Sequence, residues 1–149
     1  MAAGGSFTST FDSSVALGNI GQWSAGSGWG SVGASGLGSY VYALAYSDQS
    51  IIAGGSFFAP VNTTPVNAVA EWNGTSWRAL GQGLGGQVNA LAVCGSILFA
   101  GGFFVSTADG AVTLNYVAQW DGAAWSALGS GLGYNVYSLA CLGRLRRVC

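Results

Sequence analysis

One five-residue stretch recurs along this chain, and its period limits the fold more tightly than any other feature. Val41-Tyr42-Ala43-Leu44-Ala45 returns as Val88-Asn89-Ala90-Leu91-Ala92 and as Val136-Tyr137-Ser138-Leu139-Ala140, at offsets of 47 and 48 residues. Ala3-Gly4-Gly5-Ser6-Phe7 returns as Ala53-Gly54-Gly55-Ser56-Phe57 and as Ala100-Gly101-Gly102-Phe103-Phe104. All six tryptophans fall into register as Trp23/Trp29, Trp72/Trp77 and Trp120/Trp125. A Gly-Leu turn follows each pair, at Gly36-Leu37, Gly83-Leu84 and Gly131-Leu132.

Each period reads as four short strands. Val41 to Tyr46 alternates and is rich in aromatic and β-branched residues. Ser50 to Ala53 is apolar on both faces and stops at Gly54-Gly55. Ala68 to Trp72 ends at Asn73-Gly74, a pair suited to a tight hairpin, and Ser76 to Leu80 follows. Asp121-Gly122 takes the hairpin position in the next unit. No window carries a helical period free of glycine, so the expected class is all-β. A four-stranded unit of this length matches one blade of a β-propeller, a twisted sheet that must stack on neighbours to bury both faces. The Gly-Gly pairs admit close packing, and the tryptophans offer broad surfaces between blades. Truncating one buried tryptophan is expected to cost roughly 3–5 kcal/mol.

These residues resemble the kelch-type repeat, with Gly-Gly closing the second strand, an aromatic on the third and tryptophan on the fourth. The likeness is greater still to the extended kelch-like repeats of large secreted or surface proteins. Asn67-Ala68-Val69-Ala70-Glu71-Trp72-Asn73-Gly74 and Asn115-Tyr116-Val117-Ala118-Gln119-Trp120-Asp121-Gly122 carry that likeness, which spans residues 3 to 143. It implies propeller architecture and an extracellular or surface setting, but no particular function, because propellers host binding modules and enzymes alike. Copper-dependent galactose oxidases share the kelch propeller but need histidine ligands, and this chain has no histidine. The Trp-Asp of Trp120-Asp121 also occurs in WD40 repeats, whose Gly-His partner is absent.

The expected organisation is a partial, about three-blade propeller over residues 1–143. It comprises a blade remnant of three strands (3–37), blades at 41–85 and 88–132, and a further first strand at 136–140. Propellers close with about 4 to 8 blades. The chain therefore reads as an excerpt of a longer propeller whose open blade edges would favour self-association. Residues 144–149, Arg144-Leu145-Arg146-Arg147-Val148-Cys149, lose the repeat register and read as an off-register basic tail.

Composition narrows the chemistry. Only 6% of residues are charged, with a net charge of −1, which argues against nucleic acid as partner. The longest nearly apolar run, about Val93 to Val105, is too short for a spanning helix, which needs about 20 residues. No secretory signal is legible at the start. Gly81-x-Gly83-x-x-Gly86 matches a dinucleotide fingerprint only formally, since no helix is expected after it. Asp12, Asp48, Glu71, Asp109 and Asp121 are scattered, without an acid–base pair. Asp109 with Gly110 lies in a loop from which it could touch calcium, though as a single carboxylate. Glu71 shares its strand position with Gln22 and Gln119, which suggests a solvent-facing or interblade role. Cys94, Cys141 and Cys149 lack metal-ligand spacing. A one-residue shift between Cys94 and Cys141 argues against a bridge and for buried free thiols. Asn62-Thr63-Thr64 and Asn73-Gly74-Thr75 are glycosylation sequons.

The expectation is a non-enzymatic binding or scaffold module with no cofactor and no metal, binding a protein or glycan. A carbohydrate-binding, lectin-like propeller is the first alternative. The propeller portion of an enzyme whose catalytic residues lie outside this chain is the second. The structural signature is Gly4, Gly5, Gly54, Gly55, Gly101, Gly102 and the six tryptophans. Candidate contact residues lie on the variable loops 56–67 and 103–115: Phe58, Pro60, Phe103 and Phe104.

Overall fold

Alternating apolar residues broken by glycine turns give short antiparallel strands, and the computed structural model, which describes residues 1–58, 60–61 and 64–142, contains no helix among them. The first sheet joins β1 (Ala2–Gly4), β2 (Ile20–Ser24) and β3 (Gly28–Ser31). The second joins β4 (Val41–Ser47), β5 (Ser50–Gly55), β8 (Val69–Trp72) and β9 (Trp77–Ala79), with a side hairpin of β6 (Pro60–Val61) and β7 (Thr64–Pro65). The third joins β10 (Gln87–Cys94), β11 (Ile97–Phe103), β12 (Val117–Trp120) and β13 (Trp125–Ala127). Each sheet is an antiparallel meander, and none closes on itself.

The core is split in two. One cluster gathers Ile20, Val32 and Leu37 of the first sheet region with Val41, Ala53, Phe57 and Trp77 of the second. The other gathers Leu80 and Leu84 with Val88, Leu98, Phe104, Leu114 and Trp125. Both therefore lie between consecutive units. Two repeated contacts build them. The indole N–H of Trp77 donates to the Val32 carbonyl at 3.2 Å, and that of Trp125 to the Leu80 carbonyl at 2.8 Å. The glycine after each acceptor lies under the next unit's tryptophan pair: a Cβ on Gly33 would meet Trp77 and Trp72, and one on Gly81 would meet Trp120 and Trp125. The second contact uses the first glycine of each Gly-Gly pair. Gly4 faces Val41 and Leu44, Gly54 faces Val88 and Leu91, and Gly101 faces Val136 and Leu139.

Several expectations change here. β5 and β11 run through their Gly-Gly pairs instead of ending at them. Gly55 and Gly102 stay in the ladder because the backbone carbonyls of Tyr40 and Gln87 sit where a Cβ would be. The third-to-fourth strand turn is longer than a two-residue hairpin, because Trp72 pairs with Trp77 and leaves 73–76 as the loop. Asn73 Oδ1 caps it, accepting the backbone N–H of Thr75 at 3.0 Å and of Ser76 at 2.9 Å. Asp121 does the same for Ala123 and Ala124. Residues 136–140 form no strand, although Val136 N–H donates to the Gly102 carbonyl at 3.3 Å and the segment packs where a first strand would. Gly81-x-Gly83-x-x-Gly86 is a strand connection leading directly to β10, with no helix to receive a phosphate. The 144–149 tail, with Cys149 in it, lies outside the described residues.

Cys94 and Cys141, expected as free thiols, form a disulfide with a Cα–Cα distance of 5.5 Å. The register argument against it holds only inside a hydrogen-bonded ladder, where the pleat fixes which way each side chain points. The 136–142 segment has no ladder among the described residues, so its side chains are not bound to that alternation. It runs beside β10, held at one end by Asn89 Nδ2 donating to Asn135 and the Val136 carbonyl, and at the other by the bridge. Reducing the bridge is expected to destabilise the chain by about 2–4 kcal/mol, the usual range for a disulfide. Urea denaturation with and without reductant measures this, and coincident curves would show that the bridge adds nothing.

Candidate functional site

The strand meander brings the starts of the first strands and the ends of the second strands to one end of the sheets. There Phe103 pairs in register with Gln87, and Val41 with Gly55. Tyrosines gather at this end. Tyr134 and Tyr137 are 72% and 73% exposed, and Tyr40 and Tyr42 about half exposed. Tyr40 and Tyr42 meet edge-on at 6.2 Å, while Tyr116 bridges Phe103 and Tyr134 at 6.3 and 6.2 Å. Amides lie among the rings: Gln87 donates to Asn89 Oδ1, and Asn89 to Asn135 Oδ1 at 3.0 Å.

A register shift in β4 and β10 creates this arrangement. The ladder skips from Val41 to Ala43 and from Val88 to Ala90, leaving Tyr42 and Asn89 outside the regular pleat. A bulge residue need not satisfy either face of its sheet, so this position carries Tyr, Asn and Tyr in successive units while its Val and Leu neighbours recur unchanged. The sequence did contain that signal, a variable residue inside an otherwise fixed motif, but only the strand ladder reveals the bulge.

Of the loop candidates, Phe58 and Phe103 are more than half exposed and stand at the same end. Phe104 is buried, packed with Leu84 and Leu114 in the core between the second and third units, and is excluded as a contact residue. Its equivalent Phe57 is buried likewise. Backbone pairing places Pro60 opposite Pro65 in the side hairpin. Asn62 and Thr63 of the first sequon lie outside the described residues. Asn73 is committed to its turn.

The tryptophan pairs and the first glycine of each Gly-Gly pair sit between units, whereas Gly55 and Gly102 lie in the ladder at the rim end. Trp23/Trp29, Trp72/Trp77 and Trp120/Trp125 stand as tilted pairs with centroids 5.7, 5.5 and 5.4 Å apart. Carboxylates serve structure. Glu71 lies opposite Arg78 in the ladder and takes both its Nε (3.0 Å) and Nη2 (2.8 Å), a contact within one sheet and not between sheets. Partial burial works to raise the Glu71 carboxyl, but hydrogen bonds from Arg78 and Ser50 with the Arg78 charge hold it below its ordinary value. Gln119 makes the neutral version of the pair, donating to Ser126 Oγ at 3.2 Å. Glu71, Arg78 and Asp48 line a groove of about 470 Å³ between the second and third sheets, a polar cleft whose wall also carries Ser47, Ser50 and Ser96.

The loops joining second to third strands in the first and third units share the pattern Ser-Thr-x-Asp-x-x-Val-x-Leu (residues 9–17 and 106–114) and fold alike. Asp12 Oδ1 accepts Thr10 Oγ1 (2.6 Å), Ser14 Oγ (2.7 Å) and Ser14 N–H (3.1 Å); Asp109 Oδ1 accepts Thr107 Oγ1 (2.6 Å) and Ala111 N–H (3.1 Å). Asp109 is thus engaged in its own turn. No cluster of three His, Cys, Asp or Glu side chains able to hold a metal occurs among the described residues. The hydroxyl of Thr10 and the Ser14 donors lower the Asp12 carboxyl to about 2. A depressed carboxylate supports its loop above its ordinary pKa and ceases to do so as pH falls through the folded value. The Asp12 side chain is therefore expected to titrate in the folded chain near pH 2, well below its ordinary 3.8, by carboxyl-carbon NMR. An ordinary midpoint would dissolve the Thr-x-Asp turn. Comparison with protein-family models and with curated protein sequences yields no match for this chain.

Proposed function

We propose that the chain is a non-enzymatic binding or scaffold module, built of kelch-like propeller blades and belonging to a larger secreted or surface protein. The observation that carries the binding reading is the rim of exposed rings and amides at one end of the sheets. Tyr40, Tyr42, Phe58, Phe103, Tyr134 and Tyr137 present apolar faces to solvent. Large exposed aromatic groups on a rigid scaffold are what a recognition surface uses, since few rotamers are lost on binding. The Cys94–Cys141 bridge fits an oxidising compartment.

Carbohydrate is the second reading, favoured by the amides of Gln87, Asn89 and Asn135 set among tyrosine rings. Stacking on a sugar's apolar face, with amides to its hydroxyls, needs that mixture. The test presents the purified chain to a glycan array and to an array of random peptides. A Tyr134→Ala, Tyr137→Ala double variant is expected to weaken any positive signal at least tenfold. Signal on glycans alone selects the carbohydrate reading, and signal on peptides alone selects a protein ligand. Silence on both arrays, or binding indifferent to the double variant, would remove the rim from function.

A further inference from the structure

Residues 73–76 and 121–124 build the same turn from different chemistry. In the second unit Asn73 Oδ1 accepts the backbone N–H of Thr75 at 3.0 Å and of Ser76 at 2.9 Å. In the third, Asp121 Oδ1 accepts those of Ala123 at 2.8 Å and Ala124 at 2.9 Å. The Asn73 N–H donates to the Ser76 carbonyl, and the Asp121 N–H to that of Ala124. Gly74 and Gly122 share the left-handed backbone, with φ of +97° and +100°. The turn therefore needs a side-chain oxygen at its first position and glycine at its second. It needs neither the Asn73 amide nitrogen nor the Thr75 hydroxyl, because Asp121 lacks the one and Ala123 the other.

Those two surplus groups are the pair that an N-linked glycan requires, and Asn73-Gly74-Thr75 carries them at sequon spacing. Two backbone donors on one end of the carboxamide fix that end as oxygen, so Nδ2 is the other. Nδ2 makes no hydrogen bond among the described residues. The Thr75 hydroxyl donates to Asn73 Oδ1 at 2.9 Å, which brings both sequon groups together before any enzyme binds. Residues 73–76 are all exposed, and nothing lies within 4 Å of the Gly74 Cβ position.

We infer that Asn73 is a site of N-linked glycosylation. The donor is an oligosaccharide carried on a lipid pyrophosphate. Its anomeric carbon bonds to Nδ2, the bond to the pyrophosphate oxygen breaks with the electron pair leaving on the phosphate, and the nitrogen releases one proton. Nδ2 keeps its second proton and Oδ1 keeps its two backbone donors, so the turn survives the change. Ile51 at the start of β5 pairs with Trp72, whereas Gly55 at its end pairs with Val41. The hairpin thus stands at the opposite end of the second sheet from the aromatic rim, and the glycan attaches away from it. Only 6% of residues are charged, so the surface has little charge to keep it dispersed, and a bulky hydrophilic glycan supplies that role. The inference rests on the secreted or surface setting of the proposed function and is independent of the rim.

Mass analysis of the peptide containing Asn73 tests it on the full chain, directed into the secretory pathway of a eukaryotic cell by a cleavable leader and recovered from medium and cells alike. The wild type is expected to carry an N-acetylhexosamine-linked oligosaccharide on Asn73 in most molecules. Thr75→Ala and Asn73→Asp each copy a residue of the third unit's turn. Both are expected to lose the glycan and to melt together with the enzymatically deglycosylated wild type. An unoccupied Asn73 in the wild type, or occupancy that Thr75→Ala leaves intact, overturns the inference. If Asn73 is unoccupied while the Cys94–Cys141 bridge has formed in the same molecules, the glycan falls and the secreted setting stands; if the bridge is missing too, that setting loses its support as well.

Discussion

The contact on which everything else hangs is an indole against a glycine. Trp77 and Trp125 each bury a large apolar ring and satisfy its single polar group on the carbonyl one unit back. The ring can approach because the residue after that carbonyl lacks a Cβ. Its positive φ also turns the chain away, so the acceptor faces the next unit instead of its own sheet. Burial and hydrogen bonding therefore come from one residue pair, and among the described residues no buried side-chain polar atom lacks a partner. Donor and acceptor lie on opposite sides of each unit, which gives the stack a direction.

That arrangement sets how energy is distributed. Neither core belongs to a single sheet, since both clusters are shared between neighbours. A unit removed from the stack would expose half of each interface it helps to form, so stability depends on adjacent pairs more than on individual sheets. The glycines of the second strands extend the same logic toward the first strands. Gly4, Gly54 and Gly101 admit the valine and leucine of the next unit, and those two residues, with the closing alanine, recur unchanged in every copy of the motif.

Periodicity made the sheets legible because a repeated unit shows its own pattern several times over. The four-strand order, the tryptophan pairs and the connection at Gly81 to Gly86 all follow from it. What lay beyond reach depended on contacts that repetition does not encode. The Gly-Gly pairs read as strand ends because glycine is a poor strand former, yet a carbonyl from the neighbouring strand requires it at Gly55 and Gly102. Asn73-Gly74 read as a two-residue turn, but the Asn73 side chain stabilises a longer one. Phe104 and Phe103 are adjacent in sequence and point to opposite sides, one into the core and one into solvent. The disulfide escaped because pleat alternation governs only laddered strands, and residues 136–142 have no ladder among the described residues. The tyrosine rim escaped because a variable residue inside the fixed motif is recognisable as a bulge only once the strand ladder is known.

The bulge also explains how a repeat under such tight packing can carry a variable surface. In a regular strand each residue is committed to one face, and here the faces between units are packed against a neighbour. Tyr42 and Asn89 leave that commitment because the ladder steps over them. The flanking valine remains buried against the preceding unit's glycine, as Val88 does on Gly54. Ring and amide can therefore exchange at one position without altering the lock beneath. The lock fixes where each first strand begins, and the bulge determines which residue is presented there. A scaffold with this division can vary a few rim residues while every interface that holds it together stays the same.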